Sequence, residues 1–476
     1  MEVIWLFSLR WGERLGEGPR AGAGIPPSLR LFYDCDDEEI PAMGDGSGLA
    51  EAMLGLDGVR VIDVREADGE VTIEVETTEL RAWCPRCGCR AESQDRMWVD
   101  VRDLECFGRP TRLRIWKRRW RCREPLCSAR TWTEPLEFLD AQVVLTRRTG
   151  AEACRRVGEL ARPVSQVADE FGVCWETIMN AVVEHGTPLV DDPDRIGRVR
   201  QLGVDETSFL RANRHHHTIY ATGLVDLERR RLIDMVEGNA AVDLRRWTAN
   251  ADPAWLAGIE VVATDLAQSF RAGLSPHLDH AIRVADPFHV VRVANRCLDA
   301  VRRRVQNETL GHRGRKDDPL YRIRKLLLTG SERLNERGRD RILLSLRTGD
   351  PNDEVVGAWL AKESVRDVYL AGNYNDAAVV LDKAIAGCQT DEVAEIRSLG
   401  NTLASWRTEI LARHSTGASN GPTEGLNLCV KKVKRCGHGF RRFDNYRLRV
   451  LLHTGGVTWP ERPSPPRIRT RCSPPR

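Results

Sequence analysis

The sequence lacks the long apolar segments of an integral membrane protein. Its mean hydropathy is −0.40, and no apolar run approaches the ~18 residues that a bilayer-spanning helix requires. The apolar run within Met1–Leu9 is too short for a signal peptide, and no basic residue precedes it. These absences argue against any role in a membrane and predict a cytoplasmic protein.

The cysteines are not expected to form a disulfide scaffold. The 476-residue chain has 14 cysteines, but a reducing compartment keeps cysteines as free thiols or as metal ligands. We therefore expect metal sites or free thiols rather than disulfide bridges.

An excess of charge of one sign is missing from the chain as a whole. It has 72 Lys and Arg against 69 Asp and Glu, a net charge of +3. The segments differ: residues 1–80 carry 18 acidic and 6 basic side chains, residues 81–132 carry 14 basic and 6 acidic ones, and residues 431–449 carry 8 basic and 1 acidic. Basic clusters this dense indicate either polyanion binding or an ordinary solvated surface.

Both ends of the chain lack regular patterning. Residues 1–50 are rich in Gly, Pro and acidic residues, which predicts a disordered or spurious leader. Met43 and Met53 lie close to the point where regular patterning starts. Residues 459–476 are predicted to be a disordered basic tail.

Two alternating segments, Val59–Val64 and Val71–Glu76, predict strands that lead into two pairs of cysteines. Each pair can place both sulfurs on one ion, which predicts a four-thiolate zinc site in a β-rich zinc-binding domain, residues 51–135. The expected ligands are Cys84, Cys87, Cys122 and Cys127. Four free thiols are the alternative, and Cys89 or Cys106 could replace one ligand.

Basic residues alternate with Trp in Arg112–Arg121, between the cysteine pairs. Such a strand can offer guanidinium groups to phosphates and indole faces to sugars or bases. Its apolar members can equally form the core of the zinc-binding domain.

Residues 140–190 have the pattern of a helix-turn-helix DNA-binding domain. Ala168 in a first helix is followed by Gly172 at a turn, and apolar residues recur under a second helix. Ser165 is expected to cap the first helix. In this interpretation the residues that face the DNA major groove include Trp175, Thr177 and Asn180. An ordinary helical hairpin is the alternative.

Residues 198–294 alternate between strand and helix patterns. Three strands, a helix, a strand, a helix and a strand are expected, which is the element order of a ribonuclease H-like domain. Asp205 ends the first predicted strand and Asp265 ends the fourth. Carboxylates at the ends of adjacent strands can converge on divalent cations, although such an Asp is more often a turn or cap residue. Comparable candidates are Asp226, Asp234 and Asp286.

The third acidic residue lies beyond a long helical stretch. This stretch, residues 295–415, cannot belong to a compact sheet and is interpreted as a helical insertion, after which residues 416–458 complete the catalytic domain. Ser419–Arg435 opens with turn residues and then has helical spacing, with Glu424 at the head of a basic face. An acidic residue beside a basic stripe suits metal-dependent phosphodiester chemistry, and a solvated charged face is the alternative. The DNA-binding candidates on this helix are Lys431, Lys434 and Arg435.

With these motifs the sequence resembles the bacterial insertion-sequence transposases of the ISL-three family, over about residues 53–456. The motifs that carry the resemblance are the cysteine pairs, the helix-turn-helix pattern, Gly203–Thr207, Ala263–Asp265, Val284–Val291 and Ser419–Asn427. The resemblance implies that Asp205, Asp265 and Glu424 form a DDE triad. The triad would bind two Mg²⁺ (or Mn²⁺) ions, and the four cysteines would bind a structural Zn²⁺.

The resemblance implies a multidomain α+β enzyme with a zinc-binding domain, a helix-turn-helix and a ribonuclease H-like domain interrupted by a helical insertion. Such an enzyme would bind the terminal inverted repeats of a bacterial insertion sequence and would cut and join double-stranded DNA. It would act at the nucleoid as a homo-oligomer. Two alternatives stay open: a DNA-binding regulator with an inactive nuclease-like domain, and a ribonuclease H-like nuclease that acts alone.

Two histidine features are also left open. His289 stands at a predicted helix start and could lie near the catalytic site or be structural. His215–His217 could bind a metal ion, although a surface strand or hairpin is the preferred interpretation.

Overall fold

A computed structural model describes residues 47–461 of the chain. Helix α1 (Ser47–Leu54) belongs to one compact unit, and the chain from Gly55 onward forms another. The predicted leader, residues 1–50, and the predicted tail, residues 459–476, fall almost entirely outside the described residues. Within residues 47–461, no helix is both long and apolar enough to cross a membrane.

The first five strands form a single sheet. They are β1 (Val59–Ala67), β2 (Glu70–Thr77), β3 (Ala91–Cys106), β4 (Arg109–Cys122) and β5 (Thr131–Thr133). The order is β1-β2-β4-β3, with β5 also on β4; β2 and β4 are parallel, and the other neighbours are antiparallel. Val75, Leu113 and Ile115 are completely buried. The two predicted strands are therefore present, and apolar residues of β4 form the core of the sheet.

Much of the positive charge of β4 is neutralised within the sheet. Ion pairs join Arg114 to Glu74, Arg119 to Asp95 and Arg121 to Glu92. The rings of Trp98 and Trp116 stack with 5.9 Å between their centroids. Because these guanidinium groups already contact carboxylates, the structure favours a packing role for β4 over the phosphate-binding interpretation.

Three helices follow the first sheet: α2 (Arg147–Gly158), α3 (Val164–Phe171) and α4 (Trp175–Val190). Gly172 ends α3 in the left-handed conformation, with φ of 62°, which glycine adopts without steric cost. The prediction that Ser165 caps α3 is wrong. Pro163 occupies that position, because the backbone is still extended there (ψ 136°) and becomes helical at Val164.

A second five-stranded sheet lies at the centre of the chain. Its strands are β6 (Gln201–Leu210), β7 (Ile219–Asp226), β8 (Arg231–Glu237), β9 (Val261–Thr264) and β10 (Ile282–Ala285). The order is β10-β9-β6-β7-β8; β6, β9 and β10 are parallel, whereas β7 is antiparallel to β6 and β8. The helices are α5 (Pro193–Ile196), α6 (Ala241–Asn250), α7 (Pro253–Ala257) and α8 (Gln268–Leu274).

The predicted element order is present, with two local differences. The helix expected between β8 and β9 is divided into α6 and α7, because Pro253 cannot continue a helix and starts a new one. The first strand does not end at Asp205 but continues to Leu210.

Seven further helices follow β10. They are α9 (Pro287–Leu310), α10 (Pro319–Leu328), α11 (Glu336–Gly349), α12 (Glu354–Leu370), α13 (Tyr374–Gln389), α14 (Ala394–Ser405) and α15 (Arg407–Thr416). They bury a core of their own, to which Ala285 of β10 contributes. The chain then returns to the second sheet as α16 (Gly421–Cys436) and α17 (Phe443–Thr454).

One hydrophobic core connects the helices before the second sheet to the sheet itself. It includes Phe171 of α3, Val182 of α4, Val225 of β7 and Leu451 of α17. Side chains from the predicted segments 140–190 and 198–294 are thus buried against one another.

Candidate functional site

Asp205 and Asp265 lie side by side because of the register between two parallel strands. Val204 of β6 is paired with Thr264 of β9, and each aspartate is the next residue along its strand direction. Asp205 is buried, and Asp265 is half-buried. The predicted convergence of these two carboxylates is therefore present in the structure.

The start of α9 brings a histidine to this carboxylate pair. The Nε2 atom of His289 lies 2.9 Å from Oδ1 of Asp265. Ligand atoms of Asp205, Asp265 and His289 all lie within 4.8 Å of one another. His289, which the sequence left between two roles, is therefore part of the site.

The electrostatics of the pair follow from its burial. Removal from water and the neighbouring charge of Asp265 raise the pKa of Asp205 to about 6. For His289, burial acts to lower the pKa, but the contact with Asp265 and the charges of Asp205 and Asp286 outweigh it, so the pKa is raised. A buried carboxylate such as Asp205, whose charged form is disfavoured by burial and by a neighbouring carboxylate, is one that a bound cation would stabilise.

Helix α16 places Glu424 over the same cleft. At the N-terminus of α16, Asn420 donates its backbone N–H to Oδ1 of Asp286 (2.9 Å) and its side-chain amide to the carbonyl of Val204 (3.2 Å). Ligand atoms of Glu424, Asp286 and His289 lie within 4.8 Å of one another. Glu424 is thus grouped with His289 and Asp286, and His289 belongs to both clusters.

Asn427, one turn after Glu424, ties α16 to the buried aspartate. Its Nδ2 donates to Oδ2 of Asp205 at 2.6 Å. The remaining oxygen, Oδ1, accepts from the backbone N–H of Glu206 at 2.8 Å. The orientation of the Asp205 carboxylate is therefore fixed from both sides.

The other candidate aspartates have structural partners. Asp226 accepts hydrogen bonds from the backbone N–H groups of Glu228 and Arg229, as a turn residue does. Asp234 accepts from Trp247. Asp286 occupies the N-cap position of α9 and holds Asn420.

Cations and an aromatic ring also line the cleft of the acidic residues, and of these only Lys431 was singled out from the sequence. The cleft has a volume of about 930 Å³, and Asp205, Asp265 and Glu424 all line it. Its other lining residues include Phe288, Arg292, Arg296 and Lys431. Phe288 is 57% exposed. The spacing of Phe288, Arg292 and Arg296, four residues apart, was the available signal, because it places them on one face of α9.

The acidic residues suit a divalent cation. Oδ1 of Asp265 is buried and accepts no hydrogen bond from the described residues by geometric criteria, although the His289 ring contacts it. Carboxylate oxygens are the ligands that hard cations such as Mg²⁺ and Mn²⁺ prefer. The site thus offers an oxygen that could bind a metal ion, and such an ion would neutralise the negative charge of the carboxylates.

The four predicted cysteine ligands lie close together in the part of the chain that forms the first sheet. Their Sγ atoms lie within 4.8 Å of one another, with 3.7 Å between Cys84 and Cys127 and 3.5 Å between Cys87 and Cys122. Zn–S bonds of about 2.3 Å in a tetrahedron require sulfurs roughly this far apart. The cluster does not include Cys89 or Cys106. The arrangement fits zinc.

The predicted DNA-contacting residues differ in accessibility. Trp175 and Asn180 are exposed on α4, and Thr177 is half-buried. Lys431 and Arg435 are exposed on α16. Lys434 is half-buried and donates its ammonium group to the carbonyl of Ser208 at 2.6 Å, so part of its hydrogen-bonding capacity is already used. His215–His217 lie in the surface loop between β6 and β7, where the preferred interpretation put them.

Comparisons with known proteins match both sites. A family model described as a transposase, the DDE domain of the ISL3 type, matches residues 202–450, more than half of the chain. A second model, described as the zinc-finger of transposase IS204/IS1001/IS1096/IS1165, matches residues 81–127. These two segments contain the acidic cleft and the four-cysteine cluster.

Curated relatives are also named transposases. The transposase for insertion sequence element IS1557, from two strains of Mycobacterium tuberculosis, is 27% identical over 295 residues, which are 58% of this chain and 64% of that protein. The transposase for insertion sequence element IS1001 of Bordetella parapertussis is 24% identical over 400 residues, 83% of this chain and 94% of that protein. By its matched domains, the chain belongs to the ISL3 family of transposases.

Proposed function

We propose that the chain is a DNA transposase that binds the terminal inverted repeats of an insertion sequence and catalyses metal-dependent DNA cleavage and strand transfer. The observation that supports this best is the convergence of Asp205 and Asp265, with Glu424 in the same cleft. Membership in a transposase family supports the same activity.

The second sheet supports a ribonuclease H-like assignment for the catalytic domain. Its order, β8-β7-β6-β9-β10, has the middle strand β6 flanked by antiparallel β7 and parallel β9. Residues 295–415, from within α9 to within α15, are the proposed insertion between Asp265 and Glu424.

Asp205, Asp265 and Glu424 would hold Mg²⁺ or Mn²⁺. When bound, such ions lower the pKa of an attacking water or 3′-hydroxyl and stabilise the leaving oxygen. Asn427 keeps the Asp205 carboxylate oriented by its hydrogen bond, and the His289 ring would hold Asp265 through the 2.9 Å contact between Nε2 and Oδ1. Lys431 would face the negative charge that develops on the phosphate, as would Arg292 and Arg296.

The remaining parts would recognise DNA. Helices α3 and α4, joined by the turn at Gly172, would act as a helix-turn-helix with Trp175, Thr177 and Asn180 towards the major groove. Zn²⁺ on the four cysteines would be structural. Lys431, Lys434 and Arg435 would lie along the DNA backbone. Two element ends must be brought together, so the enzyme would act as a homo-oligomer, in the bacterial cytoplasm on nucleoid DNA.

A cleavage assay tests the proposal. The substrate is a duplex that carries the ends of the insertion sequence flanking this gene, incubated with Mg²⁺. Asp205→Ala, Asp265→Ala and Glu424→Ala should each lower nicking by at least about 100-fold, because each removes a metal ligand. Asp279→Asn, which removes an exposed carboxylate paired with Arg283, is the control and should cleave normally.

Two results would contradict the proposal. Binding without cleavage by the intact protein would favour a DNA-binding regulator with an inactive nuclease-like domain. Equal cleavage of unrelated DNA, without joining, would favour a nuclease that acts alone. Unchanged cleavage by Asp265→Ala would show that the second metal ligand is another residue, with Asp286 the next to test.

A further inference from the structure

Helix α16 presents a straight row of side chains that starts in the acidic cleft. Glu424, Leu428, Lys431 and Arg435 are spaced so that they share one face of the helix. Leu428 is 68% exposed, and both cations are exposed. With a rise of 1.5 Å per residue, about 16 Å separate Glu424 from Arg435 along the helix axis.

The loop after α16 continues this row towards α4. His438 and Gly439 have positive φ angles of 52° and 112°, which reverse the chain before α17. The ring of Phe440 packs on Tyr446, with 5.1 Å between centroids. This anchored residue leaves its neighbours Arg441 and Arg442 exposed.

Arg441 and Arg442 open onto a cleft that they share with α3 and α4. The cleft has a volume of about 770 Å³, and Trp175 and Asn180 also line it. Trp175 is 45% exposed. Glu176 is an acidic residue in the lining. The same cleft is therefore lined both by cations and by residues that are expected to contact bases.

These cations differ from the arginines of β4 in having no carboxylate partner. Within residues 47–461, none of the following forms an ion pair: Lys431, Arg435, Arg441 and Arg442. On β4, by contrast, Arg119 contacts Asp95. Unpaired cations in a row cost stability through mutual repulsion unless a polyanion neutralises them.

We propose that Lys431, Arg435, Arg441 and Arg442 form a continuous cationic track that binds the phosphate backbone of duplex DNA. The track would hold the DNA segment between the bases contacted by α4 and the phosphodiester in the acidic cleft. One strand carries a phosphate every ~3.4 Å of helix axis, so the distance of about 16 Å from Glu424 to Arg435 corresponds to about five base pairs. This inference rests on the proposed function, since it assumes that DNA occupies the acidic cleft.

The test is a salt titration of binding in a buffer without Mg²⁺ or Mn²⁺, with the zinc-loaded full-length protein and a random-sequence duplex three helical turns long. Fluorescence anisotropy measures the binding. Log K falls as log salt concentration rises, and each lost phosphate contact lowers the magnitude of this slope by about 0.9. The double variant Arg441→Gln/Arg442→Gln should therefore lower the slope by about 2. Both side chains are exposed, so the fold should tolerate the change.

The control removes two exposed arginines elsewhere. Arg198 and Arg200 both lie near Glu260, and Arg198→Gln/Arg200→Gln should leave the slope unchanged. An unchanged slope in the Arg441/Arg442 variant, an equal decrease in the control, or no salt-dependent binding by the wild type would overturn the track. Because no Mg²⁺, Mn²⁺ or specific sequence is involved, a wild type that shows the expected slopes but does not nick element ends would contradict the proposed function alone.

Discussion

At the scale of single residues, the buried carboxylate of Asp205 in the acidic cleft lowers the stability of the fold. It is buried, it faces Asp265, and its pKa is raised to about 6 from 3.8. A carboxyl whose pKa is higher in the folded protein favours folding at low pH and loses that contribution as the pH rises from about 4 to about 6. Without metal, the ionised cleft should therefore destabilise the protein at neutral pH.

Asp205→Asn should remove this penalty. In a buffer without Mg²⁺ or Mn²⁺ the variant should have a higher free energy of unfolding than the wild type above pH 6, by up to about 3 kcal/mol, and the difference should vanish below about pH 4. Chemical denaturation across this pH range measures it. Mg²⁺ should then stabilise the wild type but not the variant; a variant that is equally stabilised by Mg²⁺ would contradict a metal site at Asp205.

At the scale of secondary-structure elements, a glycine allows α16 to approach β6. A Cβ atom at Gly203 would lie 2.7 Å from both Oδ1 of Asn420 and Oγ1 of Thr423. Thr423 donates its hydroxyl to Oδ1 of Asn420 at 2.5 Å, so these atoms form the first turn of the helix that carries Glu424. A Cβ at Gly203 would also lie 2.6 Å from Cδ2 of Leu227, so it would crowd both that turn and Leu227, and these side chains would have to shift.

Gly203→Ala should therefore affect activity more than folding. We expect a loss of nicking of at least about tenfold with a loss of about 1 to 3 kcal/mol in the free energy of unfolding, because overpacking shifts α16 rather than unfolding it. Gly223→Ala on the adjacent strand is the matched control. Its Cβ would meet Leu232 at an ordinary 3.5 Å, and it should retain activity. Equal activity in the two variants would contradict a positioning role for Gly203.

The sequence predicted the strands and helices better than it predicted which side chains contact one another. Alternation located β6 to β10, and the strand direction of β6 and β9 was enough to bring Asp205 and Asp265 together. Patterning could not show that Lys434 would bond to Ser208, nor that carboxylates on adjacent strands would pair with the arginines of β4. Such contacts depend on register and packing between distant segments, which period and composition do not encode.

At the scale of the whole molecule, the helices before the catalytic sheet are built into its core. Leu452 of α17 fits against Gly186 of α4, where a Cβ would lie 2.8 Å from the leucine Cδ1. Buried Arg195 donates to the carbonyls of Val190, Ile233 and Gly455. These contacts join α4, β8 and the end of α17.

Gly186→Val should weaken this junction. The added methyl groups overpack the contact with Leu452, so the free energy of unfolding should decrease by about 1 to 3 kcal/mol. Gly387→Val on α13 is the control, because the site is exposed and a Cβ there meets nothing within 4 Å. Thermal unfolding of both variants measures the difference. If Gly186→Val were as stable as its control, the packing of α4 on α17 would contribute little.

The common core of α3, α4, β7 and α17 has a consequence for DNA. Suppose that α4 contacts the bases of the element end and the acidic cleft cuts the DNA. The packing between them then fixes the number of base pairs between the recognised sequence and the bond that is broken. Five base pairs inserted between the two would turn the cleavage site to the opposite side of the helix, since B-DNA has about 10 base pairs per turn. We therefore expect cleavage at the original distance from the recognised bases, and not at the original phosphodiester, which the insertion moves further away.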